Sequence, residues 1–307
     1  MNKTILQKKS AVIPLALFCC LLWGSAFPCI KIGYRLFAIP SEAPASQILF
    51  AGCRFTLSGI FTILIGSLLN RSFLRPVHGS WKRIFALSLT QTVLQYLLFY
   101  IGLAHTSGVK ASIMEGTSVF FAVLISCLIF RQEKLTPKKL AACLIGFAGV
   151  ALVNLSKEQM NFSFTLLGEG FLLLSNIAYA TSSAMICKFS KQDDPVMLSG
   201  YQFLLGGGLM ILLGGAAGGR LPVVTPVGLL MLGYLAVLSA AAYSLWGILL
   251  KYNPVSKIAV YSFTNPIFGV LLSALLLQEH SQAFGIIGLA ALALVCTGIF
   301  LTNREAL

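Results

Sequence analysis

The sequence predicts an all-α integral membrane protein whose ten transmembrane helices form two inverted five-helix repeats. Three observations lead there. Of 307 residues, 57% are hydrophobic and 10% charged, whereas a soluble domain carries about a quarter charged residues and somewhat under half apolar. The apolar residues gather into ten stretches of membrane-spanning length. Features of the first half then recur in the same order in the second. The 28 Gly and 11 Pro are scattered among apolar runs, unlike the polar or periodic bias of disordered and fibrous chains.

A helix crossing a hydrocarbon core about 30 Å thick, rising about 1.5 Å per residue, needs about 20 mostly apolar residues. On that measure the spans are 11–33, 46–69, 83–104, 109–130, 138–156, 166–187, 197–218, 227–250, 256–277 and 283–303. Lys8 and Lys9 precede the first run, which is span-length and has no small-x-small cleavage pattern after it, so it reads as a span and not a signal peptide. The longest polar connectors, Arg35 to Ala45, Asn70 to Lys82 and Lys157 to Thr165, are too short to fold alone. Residues 1–307 therefore read as a single membrane domain, with the first repeat over 11–156 and the second over 166–303.

The net charge of +13 comes from 22 Lys and Arg against 9 Asp and Glu. Ten spans put both termini on one side, and sixteen of the basic residues fall in the loops of that side. Only Arg35, Lys110, Lys157 and Arg220 fall opposite, while Lys31 and Arg54 lie within spans. Basic residues concentrate on the cytoplasmic side of short loops, so both termini are expected in the cytoplasm and the protein in the inner or plasma membrane. The charge is thus accounted for without a nucleic-acid partner. The eight cysteines all lie in apolar spans, with no Cys-x-x-Cys or Cys/His cluster, and read as free buried thiols and not as metal ligands or disulfides. Phosphate-loop and His-Glu-x-x-His patterns are absent, so neither an enzyme, a cofactor nor direct ATP drive is expected.

The duplication rests on three correspondences. Span two, from Cys53 to Gly66, aligns without a gap with span seven, from Tyr201 to Gly214, matching a Phe, the second Gly, an Ile, a Leu and the last Gly. Spans four and nine both follow short linkers, carry an apolar run near Phe121 or Phe268, and end at Glu133 or Glu279. Spans one and six end at Lys31 and Lys188, about eight residues after the clusters Trp23-Gly24-Ser25 and Ala180-Thr181-Ser182. Because five is odd, the second half enters the membrane inverted, the architecture that lets two halves exchange inward-open and outward-open shapes about a midplane site.

The stretch Leu22-Trp23-Gly24-Ser25-Ala26-Phe27 with Lys31 carries a family resemblance, as do Arg54-Phe55 and Arg131-Gln132-Glu133-Lys134-Leu135 with Gly146 and Gly149. Asn265-Pro266 through Glu279 completes the set. Together they resemble the EamA branch of the drug/metabolite transporter superfamily over nearly the whole chain. The resemblance implies a central cavity lined chiefly by the first, third and fourth helices of each half, and export of amino acids or related metabolites. The first repeat departs from the pattern: it has Glu115-Gly116-Thr117-Ser118-Val119 where the second keeps Pro266.

Polar groups inside spans are costly and mark candidate sites. Glu115 is the one carboxylate well inside a span; it can bind an ammonium group, carry a coupling proton, or pair structurally with Arg54 or Lys31. Arg54 reads as a structural clamp on backbone carbonyls or on Glu115, and Lys31 as a cation snorkelling to the outer end. Ser88, Gln91 and Gln95 form an i, i+3, i+7 stripe on span three. Similar stripes are Asn176, Tyr179 and Ser183 on span six, Ser239, Tyr243 and Trp246 on span eight, and Ser262 with Asn265 on span nine. Trp23, Tyr179, Tyr243 and Trp246 would supply aromatic faces for a cationic nitrogen. Pro28 and Pro266 each remove a helix N–H, freeing the carbonyl of Gly24 or Ser262 for a ligand or gate.

These features predict a secondary active transporter working by alternating access on a small polar or zwitterionic metabolite. Its partners would be that small molecule, the lipid bilayer and a coupling proton. Substrate contacts are expected from Trp23, Gln91, Gln95, Glu115, Asn176, Tyr179, Tyr243, Trp246 and Asn265, with Gly24, Pro28 and Pro266 at gates. A carrier of organic cations or quaternary amines built on Glu115 and an aromatic cage is the alternative. From another class, a passive channel or a non-transporting membrane partner fits the same spans.

Overall fold

A computed structural model describes residues 6–105, 108–155, 165–276 and 286–304. The chain is all-helical, as lipid demands of backbone groups that have no water to bond. The first half comprises α1 (Lys9–Leu36), α2 (Pro44–Leu69) and α3 (Ser80–Leu87), which continues through a π-helical turn (Ser88–Leu94) into α4 (Gln95–Ala104). It ends with α5 (Gly108–Leu124), a second π turn (Ile125–Ile129) and α6 (Pro137–Leu155). The second half has a π turn (Leu166–Gly170) leading into α7 (Phe171–Phe189), then α8 (Pro195–Ala216) and α9 (Pro226–Tyr252). Its last helices are α10 (Val255–Ala259), a 3₁₀ turn (Val260–Thr264), α11 (Asn265–Leu276) and α12 (Ile286–Arg304).

Among the described residues, six helical stretches are long and apolar enough to cross a membrane unaided: Lys9–Leu36, Pro44–Leu69, Ser80–Leu103, Leu166–Phe189, Pro195–Ala216 and Pro226–Tyr252. The other helices occupy the remaining four of the ten expected spans. Several starts are locally encoded. Asp194 precedes Pro195 and accepts from the N–H groups of Val196 and Met197, both at 2.9 Å; Thr225 precedes Pro226 and accepts from Gly228 N at 3.1 Å. An oxygen-bearing cap followed by Pro satisfies or removes the first orphan donors of a helix.

The most extensive helix contact is the antiparallel pair α2 and α8. Gly52, Gly59 and Gly66 repeat every seven residues on one helix, and Gly200, Gly207 and Gly214 on the other. A carbon added at Gly59 would lie 2.6 Å from Leu204 N and 2.7 Å from Gly200 O; one at Gly207 would lie 2.4 Å from Thr56 N and 2.9 Å from Gly52 O. The missing side chains let the two backbones touch, the usual route to tight helix association in lipid. Each contact has its counterpart when the halves are exchanged, which places a pseudo-twofold axis near Thr56 and Leu204.

Spans four and nine match by the same exchange. Lys110, Thr117, Phe121, Ser126 and Leu128 align without a gap with Lys257, Thr264, Phe268, Ser273 and Leu275. Span nine is more interrupted than the expected kink. Pro266 sits in the first turn of α11, where a missing N–H costs nothing, and the break before it is the 3₁₀ turn. Pro28 lies inside α1, which remains one helix. Gly24, expected at a gate, marks a close helix crossing: an added carbon would sit 2.5 Å from Phe268 Cβ and 3.0 Å from Gly269 N. Glu279, the expected counterpart of Glu133, lies outside the described residues.

Candidate functional site

A cavity of about 700 Å³ runs into the bundle from the end carrying the α1–α2 loop. Both halves build it. α1 contributes Trp23, Ala26, Ile30, Lys31 and Tyr34; α4 and α5 contribute Gln95, Tyr96 and Tyr100, then Glu115, Gly116 and Ser118. From the second half come Asn176 and Tyr179 on α7, Tyr243 on α9, and Ser262, Asn265 and Pro266 in span nine. Glu115 and Ser262 are equivalent positions of the two halves, as are Ser118 and Asn265, and all four face the cavity.

Seven of the nine expected contact residues, Trp23, Gln95, Glu115, Asn176, Tyr179, Tyr243 and Asn265, thus share one cavity. Gln91 and Trp246 do not line it. The π turn over Ser88–Leu94 is the reason for Gln91: its longer i→i+5 repeat breaks the phase of an α-helical stripe. Ser88 and Gln91 therefore turn toward α8, where Ser88 Oγ donates to Gln202 O at 3.0 Å and Gln202 Nε2 to Gln91 Oε1 at 2.8 Å. Thr92 Oγ1 donates to Gln202 Oε1 at 2.8 Å. Trp246 packs instead against Trp23, ring centroids 4.9 Å apart and edge to face.

Asn176 lines the cavity but its amide serves the framework, with Nδ2 donating to Met114 O at 2.5 Å and Thr117 Oγ1 at 3.1 Å. That ties α7 to the helix turn carrying Glu115. Among the described residues the ion pairs are Arg83 with Asp193 and Lys139 with Glu133, so neither Arg54 nor Lys31 pairs with Glu115. Arg54, 3% exposed, donates through Nε and Nη2 to Ser239 Oγ at 3.1 and 2.8 Å. The expected clamp on carbonyls or Glu115 is replaced by a neutral hydroxyl, and the second helix lines the cavity through Arg54, Gln47 and Pro44. Lys31 is exposed at the mouth.

Asn265 Oδ1 and Trp23 Nε1 are buried without a hydrogen-bond partner among the described residues. Buried polar atoms are rarely left so; at a cavity wall they are the groups a ligand would satisfy. At the mouth, Ser41 Oγ donates to Glu42 at 2.6 Å and holds that carboxyl below the usual range.

Tyr34, Tyr96, Phe99 and Tyr100 line the cavity without having been singled out in the sequence. Their signal was present: Tyr96, Phe99, Tyr100 and Leu103 recur at helical spacing immediately after Gln95. Tyr96 and Tyr243 join their hydroxyls at 2.7 Å, and Trp23 meets Tyr243 edge to face at 5.3 Å. Trp23 packs against a cluster of buried side chains, among them Cys20, Leu249, Ile258 and Tyr261. Beyond it, at the opposite end, Glu133 accepts from Ser256 and Lys139, Asn253 Nδ2 donates to Leu6 O at 3.0 Å, and Gln132 Nε2 to Ala184 O at 2.8 Å.

The two halves that build the cavity recur in what comparison finds. The model of the EamA-like transporter family matches residues 10–155 and again 166–304. An uncharacterized transporter of Archaeoglobus fulgidus is 27% identical over 289 residues, covering 93% of this chain and 94% of its own. The uncharacterized transporter YvbV of Bacillus subtilis is 23% identical, covering 97% and 93%. A solved crystal structure superposes with a TM-score of 0.77 at 19% identity, covering 97% of this chain and 98% of that one, and so shares the fold. The chain belongs to the EamA-like transporter family, within the drug/metabolite transporter superfamily, and is a multi-pass membrane transporter carrying two EamA domains.

Proposed function

We propose that this transporter is a secondary active carrier of a small zwitterionic metabolite of the amino-acid type, working by alternating access and exporting it across the cytoplasmic membrane, with both termini in the cytoplasm. The observation that carries the reading is the cavity. It lies between two related halves, holds Glu115 as an ionisable group with no protein cation within ion-pair range among the described residues, and offers the unpartnered Asn265 Oδ1. A carboxylate facing an enclosed aromatic-walled space recognises an ammonium group or carries a coupling proton. Binding at a site between halves becomes transport when closure of the open end is coupled to opening of the other.

The test is a thermal-shift screen of the purified protein against amino acids, nucleosides and organic amines. A ligand that binds only the folded state raises apparent stability by RT ln(1 + [L]/Kd), about 2.7 kcal/mol at a hundred times Kd. Saturating stabilisation by amino acids supports the reading. Stabilisation by quaternary amines alone would replace it with an organic-cation carrier.

A further inference from the structure

We propose that Arg54 is the anion subsite of the cavity, the group that receives the carboxylate of a substrate whose ammonium faces Glu115. This rests on the reading of the cavity as the transport site.

A guanidinium within the membrane must be solvated by protein, water or a counter-ion. Arg54 is 3% exposed, and its charge has no carboxylate within ion-pair range among the described residues. What surrounds it is neutral. Ser239 Oγ takes both Nε and Nη2, and spends its own proton on Leu235 O at 3.0 Å. Phe55 lies under the guanidinium, 5.1 Å from ring centre to Cζ. Tyr34, Tyr96, Tyr100 and Tyr243 line the same cavity as neutral phenols. Such a shell holds the cation in place without neutralising it.

The shape of the group matters as well. Guanidinium presents a side edge, Nε with Nη2, and an end edge, Nη1 with the second hydrogen of Nη2. Ser239 occupies the side edge. The end edge makes no hydrogen bond to a described residue, and Arg54 lines the same cavity as Glu115. An end-on pair of parallel N–H···O bonds is the geometry by which Arg takes a carboxylate. Inside the mouth, where Lys31 and Glu42 lie, the cavity wall thus offers Glu115 as anion and Arg54 as cation, each lacking a charged partner among the described residues, and a zwitterion completes both.

A structural Arg54 and a ligand-binding Arg54 differ in one readout. Binding of L-leucine and L-phenylalanine is compared with that of their decarboxylated analogues, isopentylamine and phenethylamine, in the full-length wild type, Arg54→Gln and Arg54→Lys. Wild type is expected to favour the amino acid of each pair by at least tenfold, and Arg54→Gln to abolish that preference while leaving amine binding within about threefold. Arg54→Lys, which keeps the charge but not the fork, should retain an intermediate preference and remains informative if Arg54→Gln does not fold. Ser239→Ala should preserve the preference, since it removes the holder and not the end edge. Equal weakening of acid and amine by both Arg54 variants overturns the subsite and leaves the transporter reading intact. Absence of wild-type binding to every carboxylated probe overturns the subsite together with the amino-acid reading.

Discussion

Glu133 accepts hydrogen bonds from both the backbone N–H of Ser256, at 3.0 Å, and its hydroxyl, and also from Lys139 Nζ at 2.8 Å. It joins the end of the fourth span of the first half to the start of the ninth, at the end opposite the cavity mouth. Opening there must part them. Hydrogen bonds to charged groups contribute about 1.5–3 kcal/mol each, and Glu133 and Lys139 are 6% and 15% exposed. Glu133→Ala should therefore shift the opening equilibrium by roughly 10- to 100-fold. Maleimide labelling of Cys20, buried in the cluster against which Trp23 packs, in a variant retaining only that cysteine should accelerate accordingly. An unchanged labelling rate would show that this contact does not hold the end shut.

Glu115→Gln keeps the side-chain volume and removes the charge. Affinity for ammonium-bearing ligands should fall at least tenfold, the loss of about 1.5–3 kcal/mol expected of a charge-assisted bond, while the folded helix bundle is retained. Calorimetric titration with amino acids measures it. Undiminished affinity would remove Glu115 from the substrate site.

Gln91 and Gln202 form a buried knot between the π turn and α8. Gln91→Leu leaves Gln202 Nε2 without its acceptor, which costs about 1–3 kcal/mol, and should lower the melting temperature in detergent. Substrate preference should not change, since the side chain does not reach the cavity. A changed preference with unchanged stability would place Gln91 among the contacts after all.

Adjacent glycines on α8 separate packing from propensity. Gly207→Ala drives a carbon to 2.4 Å from Thr56 N, whereas Gly208 has nothing within 4 Å of the same position. Overpacking should cost about 1–3 kcal/mol at Gly207, and Gly208→Ala should be neutral or gain up to about 1 kcal/mol of helix stability. Thermal melts of the two variants decide; similar melts would mean that α2 and α8 separate at little cost.

The spans were legible in the sequence because length and hydropathy alone decide whether a helix can cross lipid, and the charge asymmetry follows from the loops. Glu115, Tyr179, Tyr243 and Asn265 were legible because a polar or amphipathic side chain inside a span is costly unless it faces protein or a cavity. Gln91 was misplaced because the stripe assumed an α-helical period through a segment that is π-helical, a change carried by tertiary contacts with Gln202. Arg54 was assigned a carbonyl or carboxylate partner because its true one, Ser239, lies 185 residues away on α9. The break in span nine was visible as Pro266, but its 3₁₀ form depends on packing of Val260–Thr264, all buried in the core.

The central claim is that a small zwitterion binds in the shared cavity and crosses by alternating access. Counterflow in proteoliposomes tests it most directly: vesicles loaded with an unlabelled amino acid that stabilises the protein are diluted into its labelled form. The account predicts transient, saturable accumulation of label above equilibrium, lost in Glu115→Gln. Equilibration without overshoot, rising linearly with concentration, would contradict it and indicate a passive pore.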